Sequence, residues 1–322
     1  MPTALITGIT GQDGSYLAEL LLGKGYRVVG FVRKDAAHEP NNVEHLADRV
    51  ELITGDLRDA HSVADAVRES APDEVYNLAA QSDTQASFDQ AELTEQVVGQ
   101  GVAHLLESLR HHASAARFFQ ASSSEIFGQP LAAPQNEQTG MRPRSPYGHA
   151  KVFAQKAVTT ARHGDGLFAV SGILYNHESP RRGPQFVSRK ITMGVARIQC
   201  GLQADLVLGD LDARRDWGFA GDYVDAMWRM LQTSAPKDYV IGTGRTWSVR
   251  ELCEMAFRVV GRDYQEHVKV DPGLVRPPEL VPLVADASLA RRELGWQATT
   301  AFPQVVEMMV EADLARVEAA AR

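Results

Sequence analysis

The sequence predicts an α/β fold, a doubly wound parallel sheet followed by a smaller C-terminal α/β lobe. Short apolar runs alternate with segments of helical spacing through the first half of the chain. A glycine-rich turn directly follows the first apolar run, and after about residue 175 the segments become shorter and are interrupted by prolines. Such alternation favours parallel strands with helices on both faces. We therefore expect a Rossmann-type domain over 1–175 and a smaller lobe over 176–322, from which some segments return to the main sheet.

The individual elements follow from hydrophobic periodicity. A buried parallel strand appears as a continuous apolar run, and a helix as apolar residues three and four positions apart. The predicted strands are 3–7, 27–32, 50–53, 74–78, 117–121 and 167–174. The predicted helices are 14–24, 59–69, 93–112, 146–163 and 187–200. A further helix is predicted to begin at Ser248, because Ser248 and Glu251 have the spacing of a capping box.

The composition is that of an ordinary soluble globular protein. The 322 residues are 44% hydrophobic and 23% charged, with a net charge of −8 that argues against a nucleic-acid partner. Two cysteines outside any CxxC pattern exclude a disulfide scaffold and favour a reduced, cytoplasmic protein. The N-terminus reads as a strand and not as a secretion signal. No apolar run approaches the roughly 20 residues of a membrane span, so we expect no membrane association.

A glycine loop with the spacing GxxGxxG lies between the first predicted strand and the first predicted helix. Its glycines are Gly8, Gly11 and Gly14. Glycines at a strand-to-helix turn let the backbone approach a pyrophosphate, which then meets the positive end of the helix dipole. Glycines also occur in such turns for packing alone, and the position within a βαβ pattern favours dinucleotide binding.

The residue after the second predicted strand distinguishes the two nicotinamide dinucleotides. An NAD site usually has an acidic residue there to bind the ribose 2′-hydroxyl. This chain has Arg33 followed by Lys34. A guanidinium suits a 2′-phosphate because it donates paired, charge-assisted hydrogen bonds. The sequence therefore predicts NADP.

A tyrosine and a lysine four residues apart are the candidate catalytic pair. Tyr147 and Lys151 lie on one face of a predicted helix, one turn apart. A neighbouring ammonium is expected to lower the pKa of the Tyr147 phenol from its ordinary value of about 10. A carboxylate, Glu125, follows a serine run upstream and indicates a second proton transfer. Each residue alone is common, and only their order after the glycine loop predicts multi-step acid–base chemistry.

Six segments together carry a resemblance to a known family. They are Thr7-Gly-Ile-Thr-Gly-Gln-Asp-Gly-Ser-Tyr-Leu17, Tyr76-Asn-Leu-Ala-Ala-Gln-Ser82, Gln120-Ala-Ser-Ser-Ser-Glu125, Arg144-Ser-Pro-Tyr-Gly-His-Ala-Lys151, Asn176-His-Glu-Ser-Pro-Arg-Arg-Gly183 and Arg215-Asp-Trp-Gly218. Across nearly its whole length the chain resembles the GDP-mannose 4,6-dehydratase family of the extended short-chain dehydrogenase/reductase superfamily. The segment from Asn176 to Gly183 is the most specific to that branch.

The resemblance implies NADP-dependent conversion of a nucleotide hexose, GDP-mannose above all, into a 4-keto-6-deoxy sugar. Tyr147 would take the proton of the C4 hydroxyl, with Lys151 supporting it. Glu125 would remove the C5 proton before water leaves from C6. Ser123 stands where the family usually has threonine, and either hydroxyl can hydrogen-bond the C4 oxygen.

The resemblance also implies two sets of binding residues. The cofactor would be held by Gly8, Thr10, Gly11, Gln12, Asp13, Gly14, Arg33, Asp56, Leu57, Leu78, Ala79, Ala80, Tyr147, Lys151, His177 and Arg182. The substrate would be held by Ser82, Ser123, Glu125, Asn176, Arg181, Val187, Lys190, Arg215, Arg276 and Glu279. Arg189 is a further cation of the second half that could meet an anionic substrate. The implied assembly is a homodimer or homotetramer.

Other functions remain open on sequence grounds. A 4-keto-sugar reductase or a C4 epimerase of the same fold needs Tyr147 and Lys151 but no carboxylate at position 125. A dinucleotide-sensing regulator would be expected to lose one of that pair, and this chain keeps both. A metal hydrolase is disfavoured because no HExxH or Cys/His cluster is present, and neighbours such as His111 and His112 do not share a helix face.

Overall fold

A computed structural model describes residues 1–34, 42–274 and 281–321. The predicted substrate residues Arg276 and Glu279 lie outside the described residues. The strands are β1 (Thr3–Thr7), β2 (Arg27–Val32), β3 (Val50–Thr54), β4 (Glu74–Asn77), β5 (Arg117–Ser123), β6 (Ala169–Leu174), β7 (Asn176–Glu178), β8 (Leu206–Leu208), β9 (Arg214–Phe219), β10 (Tyr239–Ile241), β11 (Thr246–Ser248) and β12 (Val268–Val270). The α-helices are α1 (Gln12–Gly23), α2 (Ala60–Ser70), α3 (Ala86–Asp89), α4 (Ala91–Thr94), α5 (Gly101–His112), α6 (Pro146–Gly164), α7 (Val187–Gln199), α8 (Ala220–Leu231), α9 (Val249–Val259), α10 (Ser288–Leu294) and α11 (Phe302–Ala320).

Seven strands form the main sheet in the order β10-β6-β5-β4-β1-β2-β3, and all neighbouring pairs are parallel. The strand order reverses beside β1, as in a doubly wound sheet. All five residues of β1 are buried, because helices cover both faces of the sheet. The predicted α/β fold is confirmed, and the predicted strands agree with the observed ones to within two residues.

The smaller lobe is built around a second core, in which α9 and α11 pack on the sheet β11-β9-β7, and α7 packs against both helices and β8. The capping box predicted at Ser248 and Glu251 is present at the start of α9. The second half of the chain also contributes to the main sheet, since β10 pairs with β6. In addition, α8 packs against α1 in the core of the first half. None of the helices in the described ranges is long and apolar enough to cross a membrane.

One predicted helix differs from the structure. The segment predicted as a single helix over 93–112 consists of α4, a π-helical turn (Glu95–Gln100) and α5. A π turn inserts one extra residue and shifts the helix that follows it. Here α5 begins at Gly101, whose backbone lies so close to Leu57 that a Cβ would be 2.9 Å from the Leu57 Cβ. This close approach is a tertiary contact, so the apolar spacing of the segment did not indicate it.

Hydrogen bonds at the end of β1 place the glycine loop beside the end of β4. The Thr7 hydroxyl donates to the Asn77 side chain at 2.6 Å and accepts from the N–H groups of Leu78 and Ala79 at 3.2 and 3.1 Å. Gly8 has a φ of +70°, and a Cβ there would lie 2.7 Å from the Ala79 nitrogen. Both the backbone angle and this contact require glycine. The loop and residues 78–80 therefore lie together at the carboxyl end of the sheet.

We expect Gly14→Ala to disrupt this loop. A Cβ at Gly14 would lie 2.3 Å from the Gly8 carbonyl oxygen and 2.5 Å from the Ile9 Cα, and both are backbone atoms. The resulting strain should lower the free energy of unfolding by about 1–3 kcal/mol. Denaturant titration measures the change. In the matched control Gly23→Ala, on the same helix, the new Cβ has no neighbour within 4 Å, so stability should not fall. Equal losses in both variants would contradict this account.

Candidate active site

The four predicted catalytic residues come from two neighbouring elements. Ser123 ends β5, and Glu125 lies in the short 3₁₀ turn that follows it. Tyr147 and Lys151 are on α6, which begins with Pro146 in its first turn after the cap residue Ser145. Both the Tyr147 and Lys151 side chains are buried. The structure therefore brings all four together at the carboxyl end of the main sheet, where ligands bind in open α/β folds.

Lys151 is held by the backbone of β5. Its Nζ donates to the Ala121 carbonyl oxygen at 2.7 Å and lies 5.5 Å from the centre of the Tyr147 ring. Burial lowers the pKa of Lys151 to about 8. The ammonium is therefore only moderately basic, and its direct hydrogen bond is made to the backbone.

The pKa of Tyr147 differs from the sequence expectation. Burial raises the pKa of its phenol above the ordinary value, which outweighs the lowering by a hydrogen bond with Ser123. The negative charge of Glu125 raises this pKa further, whereas the positive charge of Arg182 lowers it. The expectation that Lys151 sets the pKa of Tyr147 below 10 was wrong for the protein by itself, because desolvation of the phenolate dominates.

Ser123 and Glu125 are also linked to one another. The Ser123 hydroxyl caps the 3₁₀ turn by accepting the backbone N–H of Glu125 at 3.2 Å. The same hydroxyl hydrogen-bonds Tyr147, and the Glu125 charge acts on that phenol. A hydroxyl, a phenol and a carboxylate thus face one region, as two successive proton transfers on one small molecule require.

The predicted cofactor residues lie along the ends of β1 to β4. Gly8, Thr10 and Gly11 form the loop into α1, and Gly14 lies in the first turn of that helix. Leu78, Ala79 and Ala80 follow β4. Arg33 follows β2, while Asp56 and Leu57 follow β3. The Asp56 carboxylate accepts hydrogen bonds from Arg58, which lowers its pKa, and the charge of Arg33 adds to this effect. The structure brings these residues to one edge of the sheet.

The side chains of Gln12 and Asp13 turn towards β7. Asp13 pairs with His177 at 2.8 Å, and Gln12 contacts the His177 carbonyl oxygen at 3.0 Å. His177 therefore lies directly beside the glycine loop, although 164 positions separate it from Asp13.

Among the predicted substrate residues, Asn176 is on β7, Arg215 is on β9, and Val187 and Lys190 are in the first turn of α7. Ser82 is exposed beyond the end of β4. The Arg181 side chain contacts α1. Its guanidinium pairs with Glu19 at 2.5 Å and lies 4.1 Å over the Tyr16 ring. The structure thus places Arg181 against α1.

Two second-half arginines form ion pairs within the protein. Arg182 pairs with Glu178 at 3.0 Å and stacks on Phe186. Arg189 is buried and pairs with Asp313 at 2.7 Å, while it also donates to the Pro180 and Arg182 carbonyl oxygens. Arg189 therefore anchors the loop after β7, and the expectation that it meets an anionic substrate was wrong because Asp313 of α11 neutralises it.

Sequence reasoning missed Asp216. This buried carboxylate accepts hydrogen bonds from the backbone N–H groups of Thr243, Gly244 and Ala285 at 2.9–3.0 Å, and from the Thr243 hydroxyl. Side chains alternate along a strand, so Asp216 of β9 points away from the face of its neighbour Arg215. The only available signal was the acid between Arg215 and Trp217, and it did not identify these partners.

A cavity of about 530 Å³ lies elsewhere, between residues 242–245 and 285–303. None of the predicted site residues within the described ranges lines it.

The family of the chain is decided by comparison with known proteins. A family model described as GDP-mannose 4,6 dehydratase matches residues 5–309. The chain belongs to the GDP-mannose 4,6-dehydratase family. It is 46% identical to GDP-mannose 4,6 dehydratase 1 of Arabidopsis thaliana, with 97% of this chain and 89% of that protein covered. It is 43% identical to the GDP-mannose 4,6-dehydratase of Vibrio cholerae, with 98% and 94% covered.

Solved structures show the same fold. The UDP-glucose 4-epimerase of Thermus thermophilus, in complex with NAD, superposes with a TM-score of 0.84 at 27% identity, covering 97% of this chain and 98% of that one. A dTDP-glucose 4,6-dehydratase from Bacillus anthracis superposes with a TM-score of 0.86 at 20% identity, covering 99% and 98%. Dehydratases and epimerases share this scaffold, so the fold alone does not choose between them.

Proposed function

We propose that this chain catalyses the NADP-dependent 4,6-dehydration of GDP-mannose to GDP-4-keto-6-deoxymannose. The observation that carries the proposal is the Glu125 carboxylate, placed beside Ser123 and Tyr147 in a chain of this family. Oxidation at C4 needs a hydride acceptor and one base, for the proton of the C4 hydroxyl. Elimination of water needs a second base, for the C5 proton.

The glycine loop suits a dinucleotide. Gly11 is exposed, and a Cβ there would meet just the Gly8 carbonyl oxygen, at 3.2 Å, among the residues that the structure describes. No described side chain caps the N-terminus of α1, so its first N–H groups can bind a pyrophosphate. Arg33 supports NADP over NAD. A bound dinucleotide would accept the C4 hydride as NADP⁺ and return it to C6 as NADPH.

The protein groups then act in sequence on the sugar. Tyr147 takes the proton of the C4 hydroxyl, which requires the positive charges of Lys151 and of a bound NADP⁺ to offset the burial that raises the pKa of its phenol. Ser123 hydrogen-bonds the C4 oxygen. The resulting ketone acidifies the C5 proton, which Glu125 removes as water leaves from C6. A proton then returns from Glu125 to C5 and restores the carboxylate. The proton that Tyr147 took from the C4 hydroxyl is released to solvent, and a solvent proton completes the water that leaves C6, so both bases are ready for the next turnover. Lys151 supplies a buried positive charge one helical turn from the phenol.

The substrate diphosphate is assigned to Asn176 and Arg215, and the nucleotide end to Arg276 and Glu279, with Lys190 as a further substrate residue. A carboxylate such as Glu279 can accept the paired N–H donors of guanine. A homodimeric or homotetrameric assembly and a cytoplasmic location stay predictions.

Incubation with GDP-mannose and NADP⁺ tests the proposal. We expect mass spectrometry to detect a nucleotide sugar lighter by one water, formed with catalytic amounts of NADP⁺. An epimerase would give a product of unchanged mass, and a reductase would consume NADPH in proportion to product. Unchanged substrate across a panel of nucleotide hexoses would overturn the dehydratase assignment.

A further inference from the structure

Two adjacent side chains of α1 join the glycine loop to β7. The Asp13 carboxylate lies 2.8 Å from His177 Nε2. The Gln12 amide donates to the His177 carbonyl oxygen at 3.0 Å and accepts from the Ser179 hydroxyl at 2.8 Å. Gln12, His177 and Ser179 are all buried. We call these four residues the α1–β7 clamp.

The clamp lies between the two binding regions of the site. On one side are the first-turn N–H groups of α1, assigned above to the pyrophosphate. On the other side β7 begins with Asn176 and leads to Arg182, whose charge acts on Asp13, His177 and Tyr147. A displacement of β7 would therefore move groups assigned to the substrate.

The charge of the clamp matters for anion binding. A lone carboxylate in the first turn of α1 would repel a pyrophosphate bound at the same helix end. Burial opposes the charged form of His177, but the Asp13 carboxylate outweighs it and raises the pKa of His177 above its ordinary value. Conversely, burial raises the pKa of Asp13, but the charge of His177 and its hydrogen bond produce a net lowering. The two groups thus favour the mutually neutralising ion pair.

Aromatic, charged and backbone groups from several elements face the Asp13–His177 pair. Tyr223 of α8 stacks on the His177 ring at 4.5 Å and stays neutral because burial raises its pKa well above the ordinary value. The Tyr175 carbonyl oxygen accepts from His177 Nδ1 at 2.7 Å. Arg182 opposes the His177 charge. The Asp13 charge also reaches α6. There it opposes the lowering of the Lys151 pKa by burial and adds to the raising of the Tyr147 pKa by burial.

We propose that the α1–β7 clamp couples dinucleotide binding at the glycine loop to the position of the substrate residues on and after β7. Gln12 and Asp13 are positioning residues that act through His177 and Ser179, and their side chains are not direct cofactor ligands. The inference rests on the proposed dinucleotide function of the loop. Because the two sites are coupled, occupancy of one changes the affinity of the other by the same factor.

The pH dependence follows from His177. The pKa of the His177 imidazole is raised in the folded protein. The imidazole is therefore charged below its unfolded pKa of about 6.5 and loses its charge as pH rises through its folded pKa. Asp13 then stays ionised without the charge of its direct partner, while the weaker effect of Arg182 remains. The dissociation constant for NADP⁺ should increase at that pH by about 2- to 5-fold, the usual range for a charge at a helix terminus, and by up to about 30-fold for a partly buried charge.

Fluorescence titration with NADP⁺ across this pH range tests the charge. In His177→Gln, Asp13 lacks its counter-charge throughout, so binding should be weak at every neutral pH and show no alkaline step. In Asp13→Asn, the repelling charge is absent, so binding should stay tight without the step. His45→Gln is the matched control. It breaks the exposed pair between His45 and Glu19 of α1, and it should keep the alkaline step. Titration of the 2′-phosphate is common to all these proteins. The titration of Lys151 moves to lower pH in Asp13→Asn, because the Asp13 charge that raises the Lys151 pKa is absent. The step assigned to His177 is therefore the one that both His177→Gln and Asp13→Asn lose.

Titration with GDP, with and without saturating NADP⁺, tests the coupling. In the wild type, NADP⁺ should tighten GDP binding about 5-fold or more. Gln12→Met removes three hydrogen bonds, to Asp13, His177 and Ser179, but no charge. It should weaken this coupling and leave the alkaline step in place. An alkaline step retained in Asp13→Asn, or full coupling in the double variant Gln12→Met/Asp13→Asn, would overturn the proposal. If the clamp were purely structural, its variants would have a lower midpoint of thermal unfolding than the wild type, with the same alkaline step and the same coupling. These are binding measurements, so they can succeed even if the dehydration assay fails.

Discussion

The Glu125→Gln variant should oxidise GDP-mannose at C4 but fail to eliminate water. Glutamine has nearly the same shape as glutamate, but its amide cannot accept the C5 proton. Loss of a general base costs about a hundred- to ten-thousand-fold in rate. We expect mass spectrometry to show a nucleotide sugar lighter by two hydrogens, while the product lighter by one water is nearly absent.

The position of the C5 proton provides an independent readout. In heavy water, the wild type should incorporate deuterium at C5, whereas Glu125→Gln should not. Glu107→Gln is a suitable control, because Glu107 is an exposed carboxylate on α5 that pairs with Arg110. If Glu125→Gln forms the dehydrated product at the wild-type rate, Glu125 is not the C5 base and the dehydratase mechanism must use another group.

The Tyr147→Phe variant should block the reaction one step earlier. Phenylalanine keeps the buried ring but removes the oxygen that takes the C4 hydroxyl proton. We expect turnover to fall by about a hundred- to ten-thousand-fold, with the substrate mass unchanged and no C4-oxidised species. Substrate affinity should change little, because the hydroxyl acts mainly in the transition state. Steady-state kinetics with mass detection distinguishes this block from that of Glu125→Gln.

Tyr264→Phe is the matched control for the loss of a buried phenol. Tyr264 is a buried tyrosine of the smaller lobe, and its hydroxyl accepts from Arg250 at 3.4 Å. This variant should be less stable by about 1 kcal/mol at most and fully active. Accumulation of a C4-oxidised sugar by Tyr147→Phe would show that a different group serves as the first base.

Much of the fold could be predicted because its signals are local. A buried parallel strand must be apolar throughout, so β1 and β2 stand out as continuous apolar runs. The glycine loop is recognisable because only glycine tolerates the backbone angle and close contacts at Gly8. Tyr147 and Lys151 share a helix face by spacing alone. Ser123 and Glu125 were predicted from a motif, and their contact with Tyr147 follows from the pairing of β5 and the packing of α6.

The sequence by itself determined the parallel sheet, the dinucleotide loop and the types of catalytic group, because each depends on residues that are close along the chain. The tertiary structure alone decided which charges meet: Asp13 with His177, Arg181 with Glu19, and Arg189 with Asp313. It also decided that burial raises the pKa of Tyr147. Pairing and desolvation depend on neighbours more than a hundred positions away, and no local spacing encodes them.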